Sequence, residues 1–227
     1  MASTISLSAV PLFAGLRSSD LAELEARTRR IPLTRGQTLF LEGDEARGFY
    51  LVRSGRLKVY KSSPSGREQI LHLVGPGEPV GEAVMFAGGR LPASAEALEA
   101  TEVLLIPRQA FLDAVRREPE VAMQFLASLS QRLRFMATLV ENLSLREVTE
   151  RVAGYVLYLS RTQGDRDHVE FDLPRGELAS LFGTIPETLS RALQRLAQEG
   201  VVEIDRRTVT IRDRDALKEM AWAGRRL

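Results

Sequence analysis

The chain has 227 residues, 44% apolar and 27% charged, with 31 Lys/Arg against 30 Asp/Glu, the balance of a globular chain long enough for one large domain or two modest ones. No apolar run approaches 18 residues and no basic segment precedes the weak apolar N-terminus, so no membrane span and no signal peptide are expected, and the cytoplasm is the expected location. Cysteine is absent and only His72 and His168 are present, which excludes disulfides, thiolate sensing, Cys-held zinc, a Cys-ligated iron–sulfur cluster and a His-rich metal site.

Leu12, Phe13, Leu16, Leu21 and Leu24 predict a short helix, with Ser18-Ser19-Asp20 as its N-cap region. From Ile31 to Ile106 the texture changes to short runs, Thr38–Leu41, Phe49–Val52, Leu57–Tyr60, Gln69–Val74, Ala93–Leu98 and Val103–Ile106. Glycine-bearing turns such as Glu42-Gly43-Asp44, Ser54-Gly55 and Gly75-Pro76-Gly77 separate them. Turn signals about every ten residues predict an antiparallel sandwich or barrel. Pro107–Arg117 reads as a short helix.

Pro119–Leu145 is the longest periodic stretch. Its apolar residues Ala122, Leu126, Leu129, Leu133, Met136, Val140 and Leu143 step by 4 and 3, the spacing of a coiled-coil seam. Pro119 and Glu120 suit a helix start. One narrow apolar stripe on so long a helix calls for a partner helix.

Beyond it, Leu145–Ser160 is helical, followed by the polar loop Thr162–Asp167 with His168 beside it in solvent. The segment 173–198 reads as two helices, Arg175–Phe182 and a second beginning at Pro186, joined by a sharp turn at Gly183 with Ile185 packed inward. The second helix buries Leu189, Leu193 and Leu196 and presents Glu187, Ser190, Arg191, Gln194 and Arg195 on the other face. The strands Val201–Ile204 and Thr208–Ile211 form a wing around Asp205-Arg206-Arg207. This is a winged helix-turn-helix. Arg191 can donate twice to guanine, Glu187 can accept from cytosine, and Ser190 can meet either kind of base edge. Arg175, Thr188, Arg195, Arg206 and Arg207 are the phosphate candidates. From Leu145 onward 14 Lys/Arg face 14 Asp/Glu, so DNA binding must rest on a local basic face.

Leu41-Glu42-Gly43-Asp44, Phe49-Tyr50-Leu51-Val52-Arg53-Ser54-Gly55, Gly66-Arg67-Glu68, Pro76-Gly77-Glu78, Gly81-Glu82 with Phe86, Ile106-Pro107-Arg108 and Glu187-Thr188-Leu189-Ser190-Arg191 stand in one order along nearly the whole chain. That order resembles the CRP/FNR superfamily of bacterial transcription regulators, most of all its nitrate-respiration and nitrosative-stress branch. The resemblance implies an α+β chain in three parts: a jelly-roll effector domain of the cyclic-nucleotide-binding type over 1–118, a dimerisation helix over 119–145 and a winged helix-turn-helix over 146–227. It implies a homodimer with Leu126, Leu129, Leu133, Met136, Val140 and Leu143 in its seam, a DNA palindrome with TTGA-like half-sites, and RNA polymerase as partner.

The resemblance also places an effector pocket at Gly81, Glu82, Met85, Arg90, Pro92 and Ala93. In the family a glutamate holds the ribose of a cyclic nucleotide and an Arg-Ser pair holds its phosphate. Here Pro92-Ala93 stands where that pair is expected, and Arg90 lies two positions early. A phosphate without its arginine loses its main charge partner, so a cyclic nucleotide is disfavoured, and a cyclic-nucleotide-responsive regulator or binding module is the alternative. Haem sensing of a gas is the other candidate, with His72 as its ligand. No nucleophile–base pair, metal spacing or phosphate loop is present, so an enzyme is not expected.

Overall fold

The computed structural model describes residues 5–82, 84–87 and 89–221, without the side chains of Phe86 and Ala87. Ala83, Gly88 and the side chain of Phe86, the last named in the motifs above, lie outside the described residues. The chain parts into two compact units, Met1–Lys61 with Leu71–Phe135, and Ser62–Ile70 with Met136–Leu227.

The first unit opens with two single turns of 3-10 helix, Leu7–Ala9 and Pro11–Phe13, and the helix α1, Ser18–Arg27. Eight strands follow: β1 Arg29–Leu33, β2 Thr38–Phe40, β3 Gly48–Ser54, β4 Leu57–Ser62, β5 Glu68–Val74, β6 Pro79–Val80, β7 Ser94–Ala97 and β8 Thr101–Pro107. The helical turn α2, Val84–Ala87, lies between β6 and β7. They form two four-stranded sheets, ordered β1-β8-β3-β6 and β2-β7-β4-β5. Leu33, Val52, Val80 and Val103 of the first sheet share one buried cluster with Phe40, Leu57, Val59, Val74, Ala95 and Ala97 of the second, which is the filling of a sandwich. Because strand side chains alternate, Phe49, Leu51, Leu104 and Ile106 point to the opposite face of the first sheet. There they meet Leu24, Phe111 of α3 (Arg108–Arg117) and Val121 and Phe125 of α4 (Glu120–Leu145). Phe49, Phe111 and Phe125 make a closed ring triad with centroids 5.0–5.7 Å apart. The expected antiparallel sandwich is therefore present.

Sequence patterning missed β1 and β6. Strand β1 carries Arg29, Arg30 and Pro32, which break the apolar alternation of a strand. Among the described residues its only partner is β8, and an edge strand tolerates charge and proline.

The second unit contains α5 (Val148–Thr162), β9 (His168–Glu170), α6 (Arg175–Leu181), α7 (Pro186–Gln198), β10 (Val202–Asp205), β11 (Thr208–Ile211) and α8 (Arg214–Ala221). Glu147 and Glu150 form a capping box at the start of α5. Strands β9–β11 form one sheet in the order β10-β11-β9. The polar loop does not leave His168 unattached: it is exposed but in register with Thr210, its Nδ1 2.7 Å from the Thr210 hydroxyl oxygen. Helix α8 was not foreseen. Its Arg214 reaches the Ser160 hydroxyl (2.9 Å), Asp165 (3.1 Å) and Asp167 (2.7 Å), tying the α5–β9 loop to the C-terminal helix.

Candidate effector site and nucleic-acid interface

Glu82 follows Gly81, whose φ of +76° suits glycine, and is only 5% exposed. Its Oε1 lies 2.5 Å from Nη1 of Arg132, whose Nη2 donates to the Pro79 carbonyl at 2.8 Å. A carboxylate this buried needs such a partner. The sequence reading missed Arg132, which lies 50 residues from Glu82 in a stretch read only for its outward stripe. The signal was a second stripe, Val121, Phe125 and Arg132 at steps of 4 and 7, which faces the chain's own first unit.

By strand alternation His72 on β5 shares a face with the fully buried Ile70 and Val74 and is itself half-buried. Neither of its ring nitrogens has a hydrogen-bond partner among the described residues. Burial first, and the positive charge of Arg132 second, push its pKa from 6.5 down to about 3. The imidazole is therefore neutral at physiological pH. Below pH 6.5 the unfolded chain takes a proton on His72 that the folded chain refuses, so stability is full above pH 6.5 and falls as pH drops toward 3. Wild type is expected to lose about 2 kcal/mol between pH 7 and pH 5 through this group, and His72→Leu to lose none of that share. Denaturant titrations at both pH values check it, and parallel profiles for the two proteins would place the ring in solvent.

Among the other pocket candidates, the Met85 backbone N–H donates to the Glu82 carbonyl at 3.0 Å. Met85 is buried on the opposite face of the first sheet, with Phe49 and Phe111, and its carbonyl accepts from Arg108 Nε at 2.7 Å. Arg90 is exposed. It donates to the Gly43 carbonyl (2.8 Å) and sits 3.8 Å from Glu45, engaged in bracing a surface loop. Pro92 is exposed, and Ala93 is buried in the cluster between the sheets.

On α4 the 4–3 stripe is divided. Leu126 (54%), Leu133 (72%) and Val140 (63%) are exposed, while Leu129, Met136 and Leu143 are half-buried. Leu129 packs against the ring-triad cluster.

In the second unit, α6 ends in the turn at Gly183, with φ +64°. A Cβ there would come 2.9 Å from the Leu143 side chain, so glycine is required twice over. Pro186 opens α7, where its missing N–H costs nothing. Leu189, Ala192, Leu193 and Leu196 are buried, and Glu187, Ser190, Arg191 and Arg195 are exposed. Thr188 accepts a hydrogen bond from Arg191 at 3.1 Å, which holds that guanidinium over the N-terminal half of the helix. Arg175 reaches the Arg206 carbonyl at 3.3 Å and so ties the start of α6 to the wing turn. Arg206 is a non-glycine residue at φ +52°, a conformation that costs energy and turns its exposed side chain outward at the wing tip. Arg207 is occupied by the Phe171 carbonyl (2.8 Å) and Glu170 (3.7 Å), and Arg195 by Glu199 (3.0 Å) and Glu147 (3.8 Å). One expectation fails here. Ile185 does not pack inward but is 44% exposed, because as N-cap of α7 it is extended, at φ −107° and ψ 156°, and leaves the helical line that would have buried it.

Residues 30–118 match the cyclic nucleotide-binding domain family, and residues 150–220 match the Crp-like helix-turn-helix domain. The chain is 38% identical over 212 residues to the cyclic AMP receptor protein of Thermus thermophilus, covering 93% of this chain and 97% of that one. It is 31% identical over 197 residues to the fumarate and nitrate reduction regulatory protein of Escherichia coli, covering 85% and 78%. The solved structure of FixK2 from Bradyrhizobium japonicum shares the fold with a TM-score of 0.73 at 25% identity, over 85% of this chain and 96% of that one. A sandwich, a long helix and a winged helix-turn-helix in this order, with relatives along nearly the full length, leave one conclusion: the chain belongs to the CRP/FNR family of DNA-binding transcription regulators, whose members act as dimers.

Proposed function

We propose that this regulator acts as a homodimer through the α4 seam, that α7 reads a palindrome with TTGA-like half-sites, and that the first unit responds to a small ligand at Glu82, Arg132 and His72. The parts are the effector domain over 1–118, the dimerisation helix over 119–145 and the reader over 146–227, working in the cytoplasm with RNA polymerase as recipient of the bound dimer. The exposed face formed by Glu187, Ser190 and Arg191 beside the wing carries the DNA reading. Arg175, Thr188, Arg195, Arg206 and Arg207 supply the phosphate contacts. Arg195 and Arg207 exchange their present carboxylate and carbonyl partners for phosphate oxygens, so affinity falls steeply with salt.

Arg191→Ala is expected to cost about 1–3 kcal/mol on the specific duplex and to relax the preference at one G·C pair. Fluorescence anisotropy on matched and scrambled duplexes reads this. An equal loss on both would make Arg191 a phosphate contact.

A cyclic-nucleotide response is the second reading, favoured by the retained Glu82 in a domain of that family. Pro92-Ala93 and the outward Arg90 weigh against it, so cyclic AMP is expected to leave DNA affinity unchanged. The neutral His72 with two unpartnered nitrogens is a competent ligand for haem iron. A Soret band in protein reconstituted with haem, lost in His72→Leu, would support haem. A colourless product would leave a polar organic effector.

A further inference from the structure

We propose that Ile185 reads the C5-methyl group of thymine in the major groove, as the apolar counterpart of Arg191, Glu187 and Ser190. The proposal rests on the assignment of α7 as the reading helix. Ile185 breaks two rules at once. Among the described residues most exposed large hydrophobic side chains lie on α4, and Ile185 is the one on the helix-turn-helix. It also occupies the N-cap of α7 without a side-chain cap hydrogen bond, a position where Ser, Thr, Asp or Asn is strongly preferred. A residue that is poor for the helix and poor for the surface marks a place where another demand prevails.

That demand follows from position. The N-terminal residues of a recognition helix are the ones that meet base edges. Ile185 sits there with the exposed Pro186 next to it and with Glu187 and Arg191 within the first turns. Polar groups distinguish the donors and acceptors of the major groove, but thymine also shows a methyl group that only an apolar surface matches. Ile185 and the Pro186 ring are the apolar surface at that end of α7.

The full-length protein would first select a duplex from a randomised pool. That duplex is then synthesised with deoxyuridine replacing thymidine at each position in turn, which removes only the methyl group. Wild type is expected to bind about fourfold more weakly per half-site at one thymine or more, the effect of burying a single methyl. Ile185→Ser is expected to bind the thymine duplex more weakly, to be indifferent to the exchange, and to melt at a higher temperature, because serine caps the helix. Three results would overturn the proposal: wild type that binds tightly and specifically yet ignores every uracil, Ile185→Ser that keeps the thymine preference, or Ile185→Ser that melts lower and so reveals a packing role. Failure to enrich any sequence would instead remove the reading-helix assignment, and this proposal with it.

Discussion

Arg132→Ala is expected to destabilise the first unit by about 3–5 kcal/mol, the usual cost of deleting one partner of a buried ion pair. Glu82, 5% exposed, loses the guanidinium 2.5 Å away, and the Pro79 carbonyl loses its donor. Alanine supplies neither a proton nor the volume. Replacing both partners, Glu82→Leu with Arg132→Leu, is expected to recover most of the loss, since an apolar pair of similar size has no charge left to desolvate. Denaturant unfolding of the two variants separates these terms. A cost below about 1 kcal/mol for Arg132→Ala would mean that the pair behaves as a solvated surface bridge.

Leu133→Asp, one position along the same helix, is expected to leave the fold intact and to abolish dimerisation. Leu133 is 72% exposed in the single chain, so its replacement removes nothing from the chain's own core. In a two-fold seam each copy loses one buried leucine, about 1.5–3 kcal/mol apiece, and gains a carboxylate facing its twin. The dimer dissociation constant should rise at least about 100-fold. Palindrome affinity should fall by about 10²–10⁴, since the second half-site is no longer held at high effective concentration. Sedimentation velocity and anisotropy on one preparation test both. A monomeric variant that still bound its palindrome tightly would refute the seam.

These neighbours show what the sequence could and could not disclose. The stripe from Leu126 to Val140 is a local periodicity, and it appears in the letters because exposed and buried faces of one helix alternate within a few residues. The same holds for Leu189, Leu193 and Leu196 against Glu187 and Arg191, so both helices and the exposed polar face of α7 are visible at once. The Glu82–Arg132 pair was not, because its partners are joined only by the tertiary fold. The distance of Arg90 along the chain makes it a phosphate-ligand candidate, yet the turn that carries it aims it at Gly43. Met85 stands three residues from Glu82, yet its side chain joins the opposite core cluster. Ile185 misled for the opposite reason: helical periodicity was carried one residue too far, into an extended N-cap.

The ring triad has a consequence for how the molecule can be divided. Phe49 lies on β3, Phe111 on α3 and Phe125 in the second turn of α4, and Val121 joins the same cluster. A fragment that stops before α4 therefore ends with Phe49 and Phe111 uncovered beside Leu104 and Ile106. It would present a wet aromatic patch where the intact chain has a dry one, and such patches self-associate. A soluble fragment of the first unit should extend along α4 to Phe135, where that unit ends. On the ribosome, too, the sandwich stays open on one side until residue 125 has left the exit tunnel, so its closure waits on a helix that begins only after the last strand of the sandwich has been made.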